Sequence, residues 1–220
     1  MTAKSSEPNR LGVGLYSVTE AARLVRLSSQ RIRHWIDPQE GLIQRMLLPE
    51  ERTITFLELM ELHFVQMFRE AGVSLQTIRR AAKTAAQQFR CSHPFTVHRF
   101  DTDGRTIFAT LIQAEKDDAL IEDLRHGQYV FETIIRPFFK KLEYHQDAAI
   151  RFWPLSQKER VVLDPQRHFG KPIDAPTGVP TKTLFLATKA GDDLSTVATW
   201  FNVPDAAVAA AVTFEESLTA

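Results

Sequence analysis

Tyr16-Ser17-Val18-Thr19-Glu20-Ala21-Ala22-Arg23-Leu24-Val25-Arg26-Leu27-Ser28-Ser29-Gln30-Arg31-Ile32-Arg33-His34-Trp35 holds the pattern on which the fold turns. Ser17-x-x-Glu20 has the form of a capping box, which satisfies two orphan amides at a helix start. Val18, Ala21, Ala22 and Leu24 follow at helical spacing and make one apolar face. Val25-Arg26-Leu27 is expected to turn, and Ser28 or Ser29 to cap a second helix over residues 30–36. Ile32 faces inward there, with Trp35 or Ile36. Gln30, Arg31, Arg33 and His34 face outward, and such side chains bond base edges or phosphates in a major groove. Together with Arg26, Ser28 and Ser29 they form the expected DNA-contact set. The plain alternative is a helical hairpin that touches no nucleic acid. The arginines at 23, 26, 31 and 33 favour DNA.

The chain has 220 residues, room for one large or two small domains. No apolar run approaches the roughly 18 residues of a membrane span, and the polar start does not resemble a signal peptide. Cys91 is the single cysteine, so no internal disulfide forms, and a bacterial-type cytoplasm is the simplest setting. Net charge is zero but unevenly placed. Residues 1–90 hold 13 Lys/Arg against 9 Asp/Glu, net +4, and residues 91–220 hold 14 against 18, net −4. A basic front and an acidic back imply different partners. Beyond Lys189 only acids remain, which suits phosphate poorly.

Outward from the two-helix motif, residues 1–14 are polar, hold Pro8, Gly12 and Gly14, and read as a mobile arm. Residues 37–52 hold Pro38, Gly41 and Pro49 and read as a wing, with Arg45 and Arg52 as phosphate contacts. A second capping box, Thr55-x-x-Glu58, opens a helix with a wide apolar stripe through Phe64 and Phe68 that ends at Gly72. After Ser74, the residues Leu75, Ile78, Ala82, Ala85 and Phe89 form a narrow seam, for packing within the subunit or across a dimer. Residues 95–110 are β-rich around Asp101-Thr102-Asp103-Gly104 and read as a hairpin. A helix is expected over 128–144, kinked or restarted at Pro137. Two short strands follow, at 150–153 and 160–163. Then come a Gly/Pro-rich stretch, a helix over 183–189, and a helix pair, 195–201 and 205–214, joined by Asn202-Val203-Pro204.

Catalytic and metal chemistry is hard to find. Cys91-x-His93 with His98 gives three scattered donors and no Cys-x-x-Cys. Asp101-x-Asp103-Gly104 lacks the glycine and glutamate positions of a calcium loop. Gly170-Lys171 lacks the upstream glycine of a P-loop, and Pro172 stands where a Ser or Thr is needed. Asp117, Asp118, Glu122 and Asp123 read as a solvated face. No catalytic residue, metal ligand or cofactor is assigned.

The front, from Tyr16-Ser17-Val18-Thr19-Glu20-Ala21-Ala22-Arg23-Leu24 to Phe68-Arg69-Glu70-Ala71-Gly72-Val73-Ser74-Leu75, resembles MerR-type winged helix-turn-helix domains. That resemblance implies DNA binding as a dimer. It departs at Ile36-Asp37-Pro38-Gln39, which intervenes before Glu40-Gly41-Leu42-Ile43. The back carries Val161-Val162-Leu163-Asp164-Pro165, Phe169-Gly170-Lys171-Pro172-Ile173, Gly178-Val179-Pro180-Thr181, Ala190-Gly191-Asp192-Asp193 and Val197-Ala198-Thr199-Trp200-Phe201. In that order these are similar to a small bacterial domain of unknown function, commonly encoded beside PIN-like ribonuclease toxins. Joined, the halves resemble VapB-type antitoxins that carry their own DNA-binding domain.

The resulting expectation is mainly α with small β elements. An arm (1–14) precedes a MerR-like winged domain (15–90), a middle β-hairpin and helix region (91–155) and a small helical domain of helix-turn-helix shape (156–220). The resemblance implies a homodimer that represses its own operon on operator DNA and neutralises a PIN-like ribonuclease encoded next door. The last helix has no Lys, Arg, Asn or Gln, so the C-terminal pair is expected to bind protein, through Trp200, Phe201 and Phe214; the plain alternative is that these aromatics are the core of a small domain. The competing reading is a stand-alone MerR-like regulator that senses a small molecule. An enzyme is the third class.

Overall fold

Serine, threonine and aspartate caps punctuate the chain and set most of its helices. The structure, a computed structural model, describes residues 12–37, 39, 41–46 and 53–219. Among them, ten α-helices accompany two small antiparallel sheets. Strand β1 (Tyr16–Ser17) leads into α1 (Val18–Val25) and α2 (Ser29–Trp35), and β1 pairs with β2 (Thr53–Ile54). Thr55 and Glu58 cap α3 (Phe56–Glu70) reciprocally, and Ser74 caps α4 (Leu75–Phe89). Next come α5 (His98–Ala114), α6 (Asp118–Val130) and the single turn α7 (Arg136–Phe138). A four-stranded sheet follows in the order β3 (Leu142–His145), β4 (Ala148–Phe152), β5 (Val161–Leu163), β6 (Pro172–Asp174). The chain ends in α8 (Thr181–Lys189), α9 (Leu194–Phe201) and α10 (Asp205–Ser217).

A cluster of buried aromatic rings sits at the centre. Phe95 lies 4.9 Å from Phe100, Phe100 lies 5.2 Å from Phe131, and Phe64 lies 5.0 Å from Phe139, all tilted or edge-on as ring quadrupoles favour. The main core runs from Tyr16 to Phe214, while Leu184, Val197, Ala207, Val208 and Ala211 of α8–α10 form a smaller one. The four-stranded sheet spans position 155, since β4 pairs with β5.

Two expectations are corrected here. First, residues 95–110 form no hairpin: Pro94–Thr96 is a 3-10 turn and α5 begins at His98. The β-rich composition hid a helical period, because Phe100, Gly104, Ile107 and Phe108 are the buried positions. Gly104 is therefore no turn residue. A Cβ there would stand 2.4 Å from Cζ of Phe131, so the glycine lets that ring lie against the helix. The middle hairpin exists but later, as β3–β4 around Gln146-Asp147, with Gln146 at φ 57°. Second, the helix expected over 128–144 starts earlier and ends sooner. Proline lacks an N–H and crowds the preceding turn. Ahead of Pro137 the helix widens into a π-turn over Phe131–Ile135, then tightens and yields to β3 at Leu142. The α4 seam takes the first of its two expected roles, packing within the subunit: Ile78, Ala85 and Phe89 are buried in the main core, and Leu75 and Ala82 lie half-buried against it. Also, Gly12, Val13 and Gly14 of the expected arm are fixed in place, the Val13 carbonyl accepting the Phe56 N–H at 2.9 Å. Residues 1–11 lie outside the described residues.

Two outcomes test this packing. Gly104→Ala should destabilise the fold by about 1–3 kcal/mol through overpacking against Phe131, although alanine is the better helix former. Urea denaturation measures it, and a neutral or stabilising result would contradict the helix–ring contact. Glu61 supplies the second. Burial pushes its carboxyl up to about 8 from the ordinary 4.5, against the pull of the Phe95 amide. The folded protein then holds a proton that the unfolded chain sheds, so this group's stabilisation declines as pH rises from 4.5 to 8. His63 acts in the opposite direction below 6.5, its imidazole held at about 4 chiefly by burial. The difference between wild type and Glu61→Gln isolates the carboxyl. It should grow in the variant's favour by about 1.4 kcal/mol per pH unit across that window. Thermal denaturation at pH 5 and 8 checks it.

Candidate nucleic-acid interface

The two-helix motif is built as its caps dictate. Ser17 N–H donates to Glu20 Oε2 at 2.9 Å, and Glu20 N–H returns a bond to Ser17 Oγ at 3.1 Å. α1 ends at Arg26, whose φ of 55° is left-handed and turns the chain; the Leu27 amide then bonds the Ala22 carbonyl at 3.0 Å. Ser28, not Ser29, caps α2, its hydroxyl accepting the Arg31 N–H at 3.2 Å. Ile32, Trp35 and Ile36 are all buried. The Trp35 carbonyl also accepts the Leu42 and Ile43 amides at 2.8 and 2.9 Å, anchoring the segment after α2.

This leaves Gln30, Arg31, Arg33 and His34 exposed on one arc of α2, with exposed Ser28 and half-buried Ser29 at its start. Among the described residues neither Arg31 nor Arg33 has an ion-pair partner. Arg23 and Arg26 are used differently. Arg23 pairs with buried Glu215 of α10 at 2.5 Å, and Glu215 also accepts the Thr181 hydroxyl at 2.5 Å. Arg26 is exposed and donates to the Ser217 carbonyl.

Arg45 corrects another expectation. It lies half-buried, pairing with buried Glu58 at 3.1 Å and donating to the Thr53 carbonyl at 2.7 Å. Its charge completes the α3 cap instead of facing phosphate, because Glu58 reaches the amides of Thr55 and Met46 from the same carboxylate. Arg52 lies outside the described residues, as do 47–51. Within the described part of 37–46 there is no strand; the small ladder at this place is β1–β2.

The C-terminal residues grip the motif from the other side. The buried Tyr16 hydroxyl donates to the Gly170 carbonyl at 2.5 Å, and the Leu15 amide bonds the Phe169 carbonyl at 2.8 Å. Burial, helped by Glu20 and Asp164, raises the Tyr16 pKa, so the phenol keeps its proton. Lys171 pairs with Glu20 at 3.0 Å. Burial opposes ionisation of Glu20, but bonds from Ser17 and Lys171 outweigh it and hold the carboxyl below its usual value.

α9 and α10 do take a helix-turn-helix shape, bent by 111° at Asn202, which is left-handed at φ 51°. Their exposed residues include Ser195, Thr199, Asp205, Thr213 and Glu216 beside two large apolar ones, Trp200 at 63% and Leu194 at 42% exposure; Leu186 of α8 is 54% exposed. Phe201 is half-buried on the smaller core. Phe214, expected as a partner anchor, is 2% exposed and belongs to the main core. Leu186 and Leu194 were missed by sequence reasoning. Leu184-Phe185-Leu186 was the available signal, since three consecutive apolar residues cannot all face inward on one helix. No single helix among the described residues is long and apolar enough to cross a membrane. Nor does any group of three or more His, Cys, Asp or Glu among them have a metal-holding arrangement.

No protein-family profile matches the chain. A Mycobacterium tuberculosis protein named "Putative antitoxin VapB45" is 26% identical, over 89% of this chain and 92% of its own length. The X-ray crystal structure of Rv2018 from Mycobacterium tuberculosis is similar at a TM-score of 0.76 and 21% identity, covering 92% of this chain and 99% of that one. This chain therefore has the fold of Rv2018.

The grip on the motif has a direct test. Tyr16→Phe keeps the ring but strands the Gly170 carbonyl, and should lower stability by about 1–3 kcal/mol. Trp200→Ala removes an exposed ring and should change stability by less than about 0.5 kcal/mol. Guanidinium denaturation of both variants compares them, and equal losses would contradict the placements.

Proposed function

We propose that this chain is the DNA-binding antitoxin of a toxin–antitoxin pair. In this reading α2 enters a major groove of operator DNA in front of its own operon and represses it. The exposed face of α8–α9 holds a PIN-like ribonuclease toxin encoded next door. The observation that carries the DNA half is the arc of Gln30, Arg31, Arg33 and His34, exposed on a rigidly capped helix with both arginines unpaired among the described residues. The near full-length likeness to a protein named as an antitoxin supports the partner half.

Physical chemistry divides the two surfaces. α2 offers donors that match guanine edges and phosphates. Neither α9 nor α10 carries a cation, and Asp192, Asp193 and Asp205 lie near Trp200 in sequence, so a phosphate backbone has little to meet on them; of the two cations on α8, Lys189 is paired with Glu216 at 3.1 Å. A protruding tryptophan on a helix that also exposes Leu194 suits a pocket on another protein. One reading helix covers only a few base pairs, so binding as a homodimer on two half-sites about 34–36 Å apart, or a multiple, is part of the proposal.

Point variants separate the halves better than truncation, since Val161, Leu163 and Phe214 belong to the core that holds the front. Arg31→Ala and Arg33→Ala should each weaken binding to the chain's own promoter by about 1–3 kcal/mol, with relaxed sequence preference where a base contact is lost. Trp200→Asp should leave promoter binding intact and abolish capture of the co-expressed neighbouring protein. Gel-shift titration and co-purification read the two arms. Undiminished promoter binding by both arginine variants would overturn the first half, and undiminished capture by Trp200→Asp the second.

A further inference from the structure

A cavity of about 170 Å³ lies where the front, middle and back of the chain meet. Leu24 and Arg26 reach it from α1 and its turn, His63 from α3, and Phe214 and Ser217 from α10. The exposed Arg26 marks its mouth. Its inner wall is aromatic: His63 packs on Phe138 at 5.7 Å and on Phe152 at 5.3 Å, between ring centroids.

The polar groups on this wall share one sign. Arg26 and Lys141 both line the cavity, and no Asp or Glu does. Among the described residues neither cation has a carboxylate partner. Lys141 Nζ donates to the Pro154 carbonyl at 2.9 Å, and Arg26 to the Ser217 carbonyl. An ammonium carries three donors and a guanidinium five, so both keep bonding capacity in hand. Burial, with Lys141 and Arg26 beside it, holds the His63 imidazole at about 4, so it is neutral near pH 7. It then presents an aromatic face and one further N–H without adding a third charge.

We propose that this cavity binds a small monocarboxylic acid with an aromatic or branched apolar body. Its carboxylate would sit between Lys141 and Arg26, and its body against Phe138, Phe152 and Phe214. Size limits the ligand. Cavities of roughly 150 Å³ accept benzene, so an acid of about ten non-hydrogen atoms is the upper bound. Charge selects within that size. An amide of the same shape leaves both cations without an anion, and an amine adds a third positive charge. The competing content is water alone, about six molecules at the liquid's volume per molecule.

The full-length protein is titrated with 4-fluorobenzoate and 4-fluorobenzamide, following fluorine relaxation, with isovalerate as a branched competitor. Lys141→Met is the variant, since it keeps the apolar stem of a half-buried side chain and loses the ammonium with its bond to the Pro154 carbonyl. Wild type should broaden the benzoate signal saturably, and isovalerate or unlabelled benzoate should restore it. The amide should bind about tenfold more weakly or worse, and Lys141→Met should weaken the acid by a similar factor, as fits loss of a charge-assisted bond. A structural role for Lys141 would leave one further readout unmoved: the His63 ring resonance should titrate at higher pH with benzoate bound, because the carboxylate offsets the two cations. Equal binding of acid and amide, undiminished binding by Lys141→Met, or no binding of either acid at millimolar concentration would overturn the site in favour of water.

Discussion

The Tyr16 hydroxyl on the Gly170 carbonyl is the contact on which the arrangement depends, because it ties the first turn of the two-helix motif to residues 154 positions later. Two glycines make that approach possible. Gly170 sits at φ 82°, and a Cβ there would lie 2.4 Å from the Tyr16 hydroxyl; Gly14 sits at φ 65° against Phe56 and Pro165. Around this point the ionic contacts differ in kind. Lys171–Glu20 is half-exposed and contributes little, less still in salt. Arg23–Glu215 is another matter. Glu215 is buried and carries a second bond from Thr181, so removing Arg23 would leave a carboxylate in the interior, which is strongly destabilising. The C-terminal helix therefore acts as part of the wall that holds α1.

That arrangement changes how the front's basic charge is counted. Composition gives the first 90 residues a net +4, and the motif four arginines. Two of them, Arg23 and Arg26, face α10, and Arg45 closes the cap of α3 over Glu58. The cations left on the exposed arc of α2 are Arg31 and Arg33. Under the proposed function the salt dependence of operator binding follows from this smaller set, together with what the arm and the residues at 47–52 add, and not from total charge.

Local chemistry was legible in the sequence and long-range chemistry was not. The capping boxes at Ser17/Glu20 and Thr55/Glu58 placed α1 and α3, and strands near 150–153 and 160–163 were found, because each signal lies within a few residues. Residues 95–110 failed for the opposite reason. Their β-branched and aromatic content and an Asp-Gly pair point locally to a hairpin, while the need for Gly104 comes from Phe131, 27 residues on. Arg45 reads as a phosphate contact from its place in the expected wing, while the Glu58 that claims it lies 13 positions on. Phe214 reads as a partner anchor because its apolar helix offers nothing to nucleic acid, yet it is claimed by the core of residues far upstream. In each case propensity was overruled by a contact that sequence spacing does not display.

The candidate surfaces consequently sit on elements fixed by different means. The reading arc on α2 is fixed by short-range caps and by three inward residues, Ile32, Trp35 and Ile36, and its orientation is then inherited from α1. The Trp200 face belongs to α9, which rests on the smaller core with α8 and α10. α10 alone belongs to both cores, giving Val208 and Ala211 to the smaller one and Phe214 to the larger, while Glu215 and Ser217 bond the arginines of α1 and its turn. α10 thus links the smaller core under α9 to Arg26. Contiguity alone is not coupling, which needs an element with two arrangements that both ends bias. One place where such an element has room is the cavity under Arg26 and Ser217, which borders the packed rings of Phe138 and Phe152.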